Sequence, residues 1–233
     1  MTLKAIVLGS IGVIVETSEI QRAAYNQAFA EAGLDWTWEQ APYQQMLGIN
    51  GGKRRLRHFA EQTNTDLTEE LIDHLHARKS QIFQAYIRDN GLTPRPGIAE
   101  LVDAAIEAGI AVATAETTSR ANIDAIDAAL GEASVYPKLT LRTDGTFVVE
   151  KKPHREIYQV VMAKLGVAPH EVIAIEDSAS SLDSAVDANV LSVAYPGANT
   201  AHENYSKAVA VATPEQIADL DWLRERLTER HPA

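Results

Sequence analysis

Four short apolar runs, each of four to seven residues and each separated from the next by a stretch with helical spacing, limit this chain more than any other feature. Residues 3 to 8, 109 to 115, 172 to 175 and 190 to 194 are rich in Val, Ile, Leu and Ala. Such runs are too short for a stable helix, and their nearly continuous apolar character suits strands buried on both faces. Residues 98 to 107, 120 to 130, 155 to 165 and 181 to 188 are the intervening helix candidates. Strand and helix in alternation predict right-handed crossovers and a doubly wound, Rossmann-like parallel sheet, an α/β fold. Residues 208 to 212 suggest a late strand and 222 to 229 a terminal helix. The segment 139 to 149, broken at Asp144-Gly145, reads as a small β excursion.

The alternation is interrupted once. After Thr17 the residues Ile20, Ala23, Ala24, Phe29 and Ala32 fall at helical spacing and Gly33 stands at a stop. Residues 36 to 47, 53 to 62 and 68 to 89 continue in helical style without strands between them. Pro94, Pro96 and Gly97 then mark a stiff return linker. The organisation expected is a core from 1–16 and 93–233 with an all-helical cap inserted over 17–92.

A chain of 233 residues can bury a sizeable core, and 45% hydrophobic with 23% charged residues is an ordinary globular composition. A net charge of -11 with no basic block argues against nucleic acid and anionic lipid as partners. Zero cysteines exclude disulfides, thiolate metal sites and cysteine nucleophiles. Nothing at the start resembles a signal peptide and no apolar run approaches a membrane span, so a cytoplasmic, membrane-free protein is expected.

In an open parallel sheet, ligands bind beyond the carboxyl ends of the strands, which directs attention to residues just past each run. Thr114 offers a hydroxyl to an oxyanion, or caps a turn with Glu116 and Thr117. Lys152, before Pro153 and a helix, can neutralise a phosphate or a carboxylate pair. Glu176 and Asp177, followed by Ser178, bring carboxylates to the mouth of a helix, where they could hold a cation or serve as a cap. In the insert, Gly51 and Gly52 allow close backbone approach, and Lys53 and Arg57 are candidate phosphate cations. Arg54 and Arg55 are expected to face solvent. Trp36, Trp38, Tyr25 and Tyr43 read as cap core.

The first strand, Thr114, Lys152-Pro153 and Glu176-Asp177-Ser178 together resemble the haloacid dehalogenase (HAD) superfamily over nearly the whole chain. The insert, with Glu16-Thr17, the run from Ala28 to Trp36, Gly51-Gly52-Lys53 and Arg57-His58, resembles its CbbY-like branch. That branch is similar to β-phosphoglucomutase and includes sugar-bisphosphate phosphatases. In the family the first strand ends in Asp-x-Asp-Gly-Thr, the first Asp attacking phosphorus and the second acting as acid and base. Here those carboxylate positions are Gly9 and Ile11. Glycine offers no nucleophile, and loss of the acid removes a role worth on the order of a hundredfold in rate. Ser10 and Glu16 are unconvincing substitutes. Gln21 stands where related mutases carry a cap histidine.

Family Mg2+ is held by the nucleophile, a main-chain carbonyl from the second motif position and the later Asp. Ile11 could still supply its carbonyl and Asp177, with Glu176, a carboxylate, so the resemblance implies weak Mg2+ binding at most. Lys152 is then expected to pair with Glu176 or Asp177. Three functions stay open: a catalytically degenerate homologue that keeps a cleft for a sugar phosphate or other small anion, a hydrolase using an unconventional nucleophile or water, and an interaction protein with an unspecified protein partner.

Overall fold

In the computed structural model, which describes residues 2–9, 11–49 and 51–229, the chain builds a five-stranded parallel sheet with helices on both faces and a helical insert after the first strand. The core begins with β1 (Ala5–Leu8) and one helical turn, α1 (Ile11–Ile14). The insert holds α2 (Ser18–Glu31), α3 (Gln40–Met46), α4 (Gly52–Gln62) and α5 (Glu69–Asn90). The chain returns through α6 (Ile98–Glu107), β2 (Ala111–Thr114), α7 (Arg120–Leu130) and α8 (Glu156–Leu165). It closes with β3 (Val172–Glu176), α9 (Ala179–Asp187), β4 (Leu191–Ala194), β5 (Ala210–Val211), α10 (Pro214–Ala218) and α11 (Leu220–Glu229).

Strand order is β2-β1-β3-β4-β5. Alternate strand residues divide between two cores, as a period of two dictates. Ile6, Leu8, Ile173 and Ile175 point into the larger cluster, which includes α6, α7 and α11. Ala5, Val7, Val172 and Ala174 point to the other face, under α8 and α9. The chain goes from β1 to one side for β2 and then to the opposite side for β3, so the switch in direction lies beside β1. Ligand crevices of such sheets open there.

The insert has its own aromatic core. Tyr25 lies 4.5 Å from Trp38, and Trp36 meets Phe59 edge-on at 4.9 Å. Gln44 Nε2 donates to Asn199 Oδ1 at 3.0 Å and Gln84 Nε2 to Asn122 Oδ1 at 2.7 Å, tying insert to core. At the return linker Arg95 N–H donates to the Ile14 carbonyl at 2.8 Å, so the two strands of chain joining insert and core are bonded to each other. The Arg95 guanidinium donates to the carbonyls of Gly12, Tyr195 and Pro196 and stacks 3.6 Å over the Tyr195 ring. Gly97 has φ +82, and a Cβ there would fall 2.4 Å from the Pro214 carbonyl oxygen, so the linker turns on glycine.

Two expected elements differ. The segment 139 to 149 forms no strand; its one ladder contact is an isolated parallel bridge of Leu141 to Ala113. Thr143 instead wraps the end of β2, and Asp144 takes the Thr146 N–H and hydroxyl in a tight turn. Within 36 to 47 the helix starts only at Gln40, because Asn26 bonds both main-chain groups of Trp38 and holds it extended.

Candidate functional site

Gly9 lies just past the carboxyl end of β1, flanked by the end of β3 at Glu176 and by the residue after Thr114 on the β2 side. Leu8 pairs in register with Ile175 on one side and Thr114 on the other, and Gly9 N–H donates to the Ile175 carbonyl at 2.8 Å. The space beside Gly9 is filled. A Cβ built there would stand 2.0 Å from Glu176 Cδ and 2.2 Å from each of its carboxylate oxygens. The Glu176 carboxylate therefore occupies the volume that a side chain at position 9 would take.

Lys152 holds it there. Its ammonium donates to Glu176 Oε1 at 2.5 Å and to the Gly9 carbonyl at 2.6 Å, and the Tyr158 hydroxyl donates to the same Oε1 at 2.5 Å. Glu176 is 0% exposed and Lys152 4%. Burial raises the Glu176 carboxyl above its usual range against the pull of Lys152. Glu176 Oε2 is buried with no hydrogen-bond partner among the described residues. The neighbouring Asp177 carboxylate lies over Gly12, where a Cβ would meet Oδ2 at 1.8 Å. Ser178 occupies the N-cap of α9 without a side-chain cap bond, and Ala179 N–H donates instead to Glu203 at 2.6 Å.

Thr114 is 1% exposed, and its Oγ1 accepts the Thr143 N–H at 3.0 Å. Two residues on, Glu116 is buried and accepts the Tyr136 hydroxyl at 2.8 Å on Oε1, while Oε2 has no partner among the described residues. Burial pushes the Glu116 carboxyl up to about 7, against opposing pulls from Tyr136, Lys152 and Arg142. In the sequence Glu116 reads as part of a turn; its place just beyond a buried strand, at the same end of the sheet as Glu176, is the signal that sets it apart.

Mg2+, on which phosphatases of the HAD type generally depend, does not fit these donors. Glu176, expected as a weak ligand, has its Oε1 committed to an ammonium and a phenol, which leaves only the buried Oε2. The Ile11 carbonyl accepts the Val15 N–H at 2.8 Å, and position 9 supplies no carboxylate. Among the described residues no group of three His, Cys, Asp or Glu side chains is placed to hold a metal. Ser10 lies outside the described residues.

The cap presents a second cluster. Gly52 opens α4 against α2 and α5: a Cβ there would lie 2.1 Å from the Tyr25 hydroxyl and 2.6 Å from His76 Cδ2. Lys79, 6% exposed, donates to Gln21 Oε1 at 2.5 Å and lies 4.8 Å from the centre of the Tyr25 ring. Arg55 turns inward rather than to solvent. Its Nε donates to the carbonyls of Met46 and Ile49, and its guanidinium lies 5.9 Å over Tyr43. Burial first, then the charge of Arg55, pulls Lys79 down to about 7. Burial together with Lys79, Lys53 and the core residue Lys151 pulls His76 down to about 4. Arg57, by contrast, forms a two-bond pair with Glu69, and Lys53 pairs with Asp73 at 2.6 Å, both largely exposed. Lys79 and Arg55 are thus turned inward, while the candidate phosphate cations Lys53 and Arg57 pair with acidic side chains. The signal was a lysine on the apolar stripe Ile72, Leu75, Phe83 and Ile87 of α5.

Comparison with known proteins places this geometry. The haloacid dehalogenase-like hydrolase family model matches residues 3–189. Protein CbbY of Cereibacter sphaeroides is 34% identical over 206 residues, covering 88% of this chain and 90% of that one. Protein CbbY of Rhodobacter capsulatus is 35% identical over 208 residues, covering 89% and 92%. The crystal structure of CbbY from Rhodobacter sphaeroides in complex with phosphate superposes with a TM-score of 0.87 at 32% identity, covering 96% of this chain and 100% of that one. A mutant of the same CbbY in complex with xylulose-(1,5)bisphosphate gives a TM-score of 0.84 at 32% identity, covering 94% and 96%.

Proposed function

Because the chain belongs to the haloacid dehalogenase-like hydrolases, with CbbY among its relatives, we propose that it binds a phosphorylated sugar or similar small anion between cap and core without forming an aspartyl-phosphate. The observation that carries this reading is the Glu176 carboxylate in the place of a position-9 side chain, paired with Lys152. A phosphoryl group entering the core subsite meets a lysine already neutralised and finds no carboxylate at positions 9 or 11 to attack phosphorus or protonate a leaving group. The cap keeps the Arg55 guanidinium turned inward beside the buried Lys79, where the anionic group of a ligand offsets the guanidinium charge. Binding is retained and the covalent chemistry is lost.

Two measurements on one panel of sugar mono- and bisphosphates test it. A rise in melting temperature that does not depend on Mg2+ is expected for at least one sugar phosphate, since a ligand of the native state stabilises by mass action. With Mg2+ present, phosphate release is expected from a Gly9→Asp/Ile11→Asp variant, whose new side chain displaces the Glu176 carboxylate from beside position 9, and not from the unmodified chain. Release by the unmodified chain, abolished by Asp177→Ala, would instead establish a hydrolase with another nucleophile. Absence of any thermal response would remove the ligand class.

A further inference from the structure

The buried stripe of α5 consists of Ile72, Leu75, Lys79, Phe83 and Ile87, one of them charged. Lys79 Nζ sits between the rings of Tyr25 at 4.8 Å and Phe83 at 6.0 Å, and its hydrogen-bond acceptor is the neutral Gln21 Oε1. Among the described residues no carboxylate lies within ion-pair distance of it. The other lysine of similar burial, Lys152, has Glu176 as its counter-ion. A buried ammonium without a counter-ion carries a desolvation penalty that losing a proton removes. Arg55 adds a repelling positive charge, and Lys79 is accordingly drawn down to about 7. A buried lysine beside another cation, in the fraction that has lost its proton, is a nucleophile toward carbonyl carbon.

Resting on the sugar-phosphate reading above, we propose that Lys79 captures the carbonyl of an open-chain ketose or aldose phosphate as a reversible imine. The amine lone pair forms the C–N bond as the C=O π bond breaks onto oxygen. A proton passes from nitrogen to that oxygen to give a carbinolamine. Loss of the hydroxyl with the remaining nitrogen proton, as one water, leaves C=N. No oxidant, reductant or metal enters, and water reverses the sequence. Gln21 accepts one amine N–H and fixes the approach of Nζ.

The test is borohydride trapping followed by peptide mapping of the unmodified chain, with ribulose 5-phosphate as probe and melting temperature recorded in parallel. The expected result is one reduced adduct, on the peptide carrying Lys79, suppressed by sorbitol 6-phosphate, which has no carbonyl. Lys79→Arg loses it, and mapping the unmodified chain keeps the result independent of how that variant folds. Thermal stabilisation by ribulose 5-phosphate without an adduct, or adducts spread over exposed lysines, overturns imine formation and leaves the proposed ligand class standing. If no sugar phosphate changes the melting temperature, that class fails. Glycolaldehyde, which has no phosphate, then decides the inference: preferential trapping at Lys79 supports it and indiscriminate trapping overturns it.

Discussion

Replacing Glu116 with Gln should uncouple stability from pH across the range in which this buried carboxyl titrates. Burial raises it from 4.5 to about 7, so the native protein holds its proton more tightly than the unfolded chain. The stability this contributes is complete below 4.5 and is lost as pH rises through about 7. At about 1.4 kcal/mol per pH unit, the rise corresponds to about 3 kcal/mol. Glutamine keeps an oxygen for the Tyr136 hydroxyl and carries no charge to desolvate. Urea unfolding of parent and Glu116→Gln at a series of pH values isolates this group, because titrations elsewhere cancel in the difference. The variant should gain about 3 kcal/mol relative to the parent between about pH 4.5 and about pH 8. Parallel stability curves across that interval would refute the reasoning, since Glu116 would then titrate alike in both states.

Lys152→Met should cost about 3–5 kcal/mol in denaturant unfolding at neutral pH, because Glu176 is left buried without its cation; a cost below about 1 kcal/mol would mean the pair is not the internal counter-ion described. Gly52→Ala should destabilise by about 1–3 kcal/mol through overpacking against Tyr25 and His76, read as a lower melting temperature. His76 is depressed from 6.5 to about 4, so its preference for the neutral ring favours the fold above 6.5 and is lost as pH falls through about 4. Its ring proton resonances should accordingly stay fixed between about pH 7 and about pH 5.5, and movement there would remove the buried cationic surroundings assigned to it.

Most strands and helices were legible because their signals are local. The helix at 98 to 107 and that at 120 to 130 match α6 and α7, where apolar spacing, Gly97 and the Ser119 cap agree. The lost β excursion at 139 to 149 and the late start of α3 have a common cause in side-chain hydrogen bonds to main chain, from Thr143 and Asn26, that no periodicity records. At the site, the absence of carboxylates at 9 and 11 was written in the chain, and so was the pairing of Lys152 with one of two acids. The movement of Glu176 into the place beside Gly9 was not, because it depends on contact between neighbouring strands. The choice among Arg55, Arg57 and Lys79 also needed three helices to be packed, since acidic partners on α5 draw Arg57 outward while Arg55 is held by the carbonyls before α4.

The bond from Arg95 to Ile14, with its guanidinium clasping three further carbonyls, makes a single pivot of what are topologically two crossings between cap and core. Two independent tethers would let the insert slide as well as tilt. A fused pair permits swinging about one axis, like a door whose upper and lower hinges share a pin. The same residue grips the turn following Gly9, so the root of the insert and the loop beside the Glu176 carboxylate hang on one guanidinium, and losing that side chain would loosen both together.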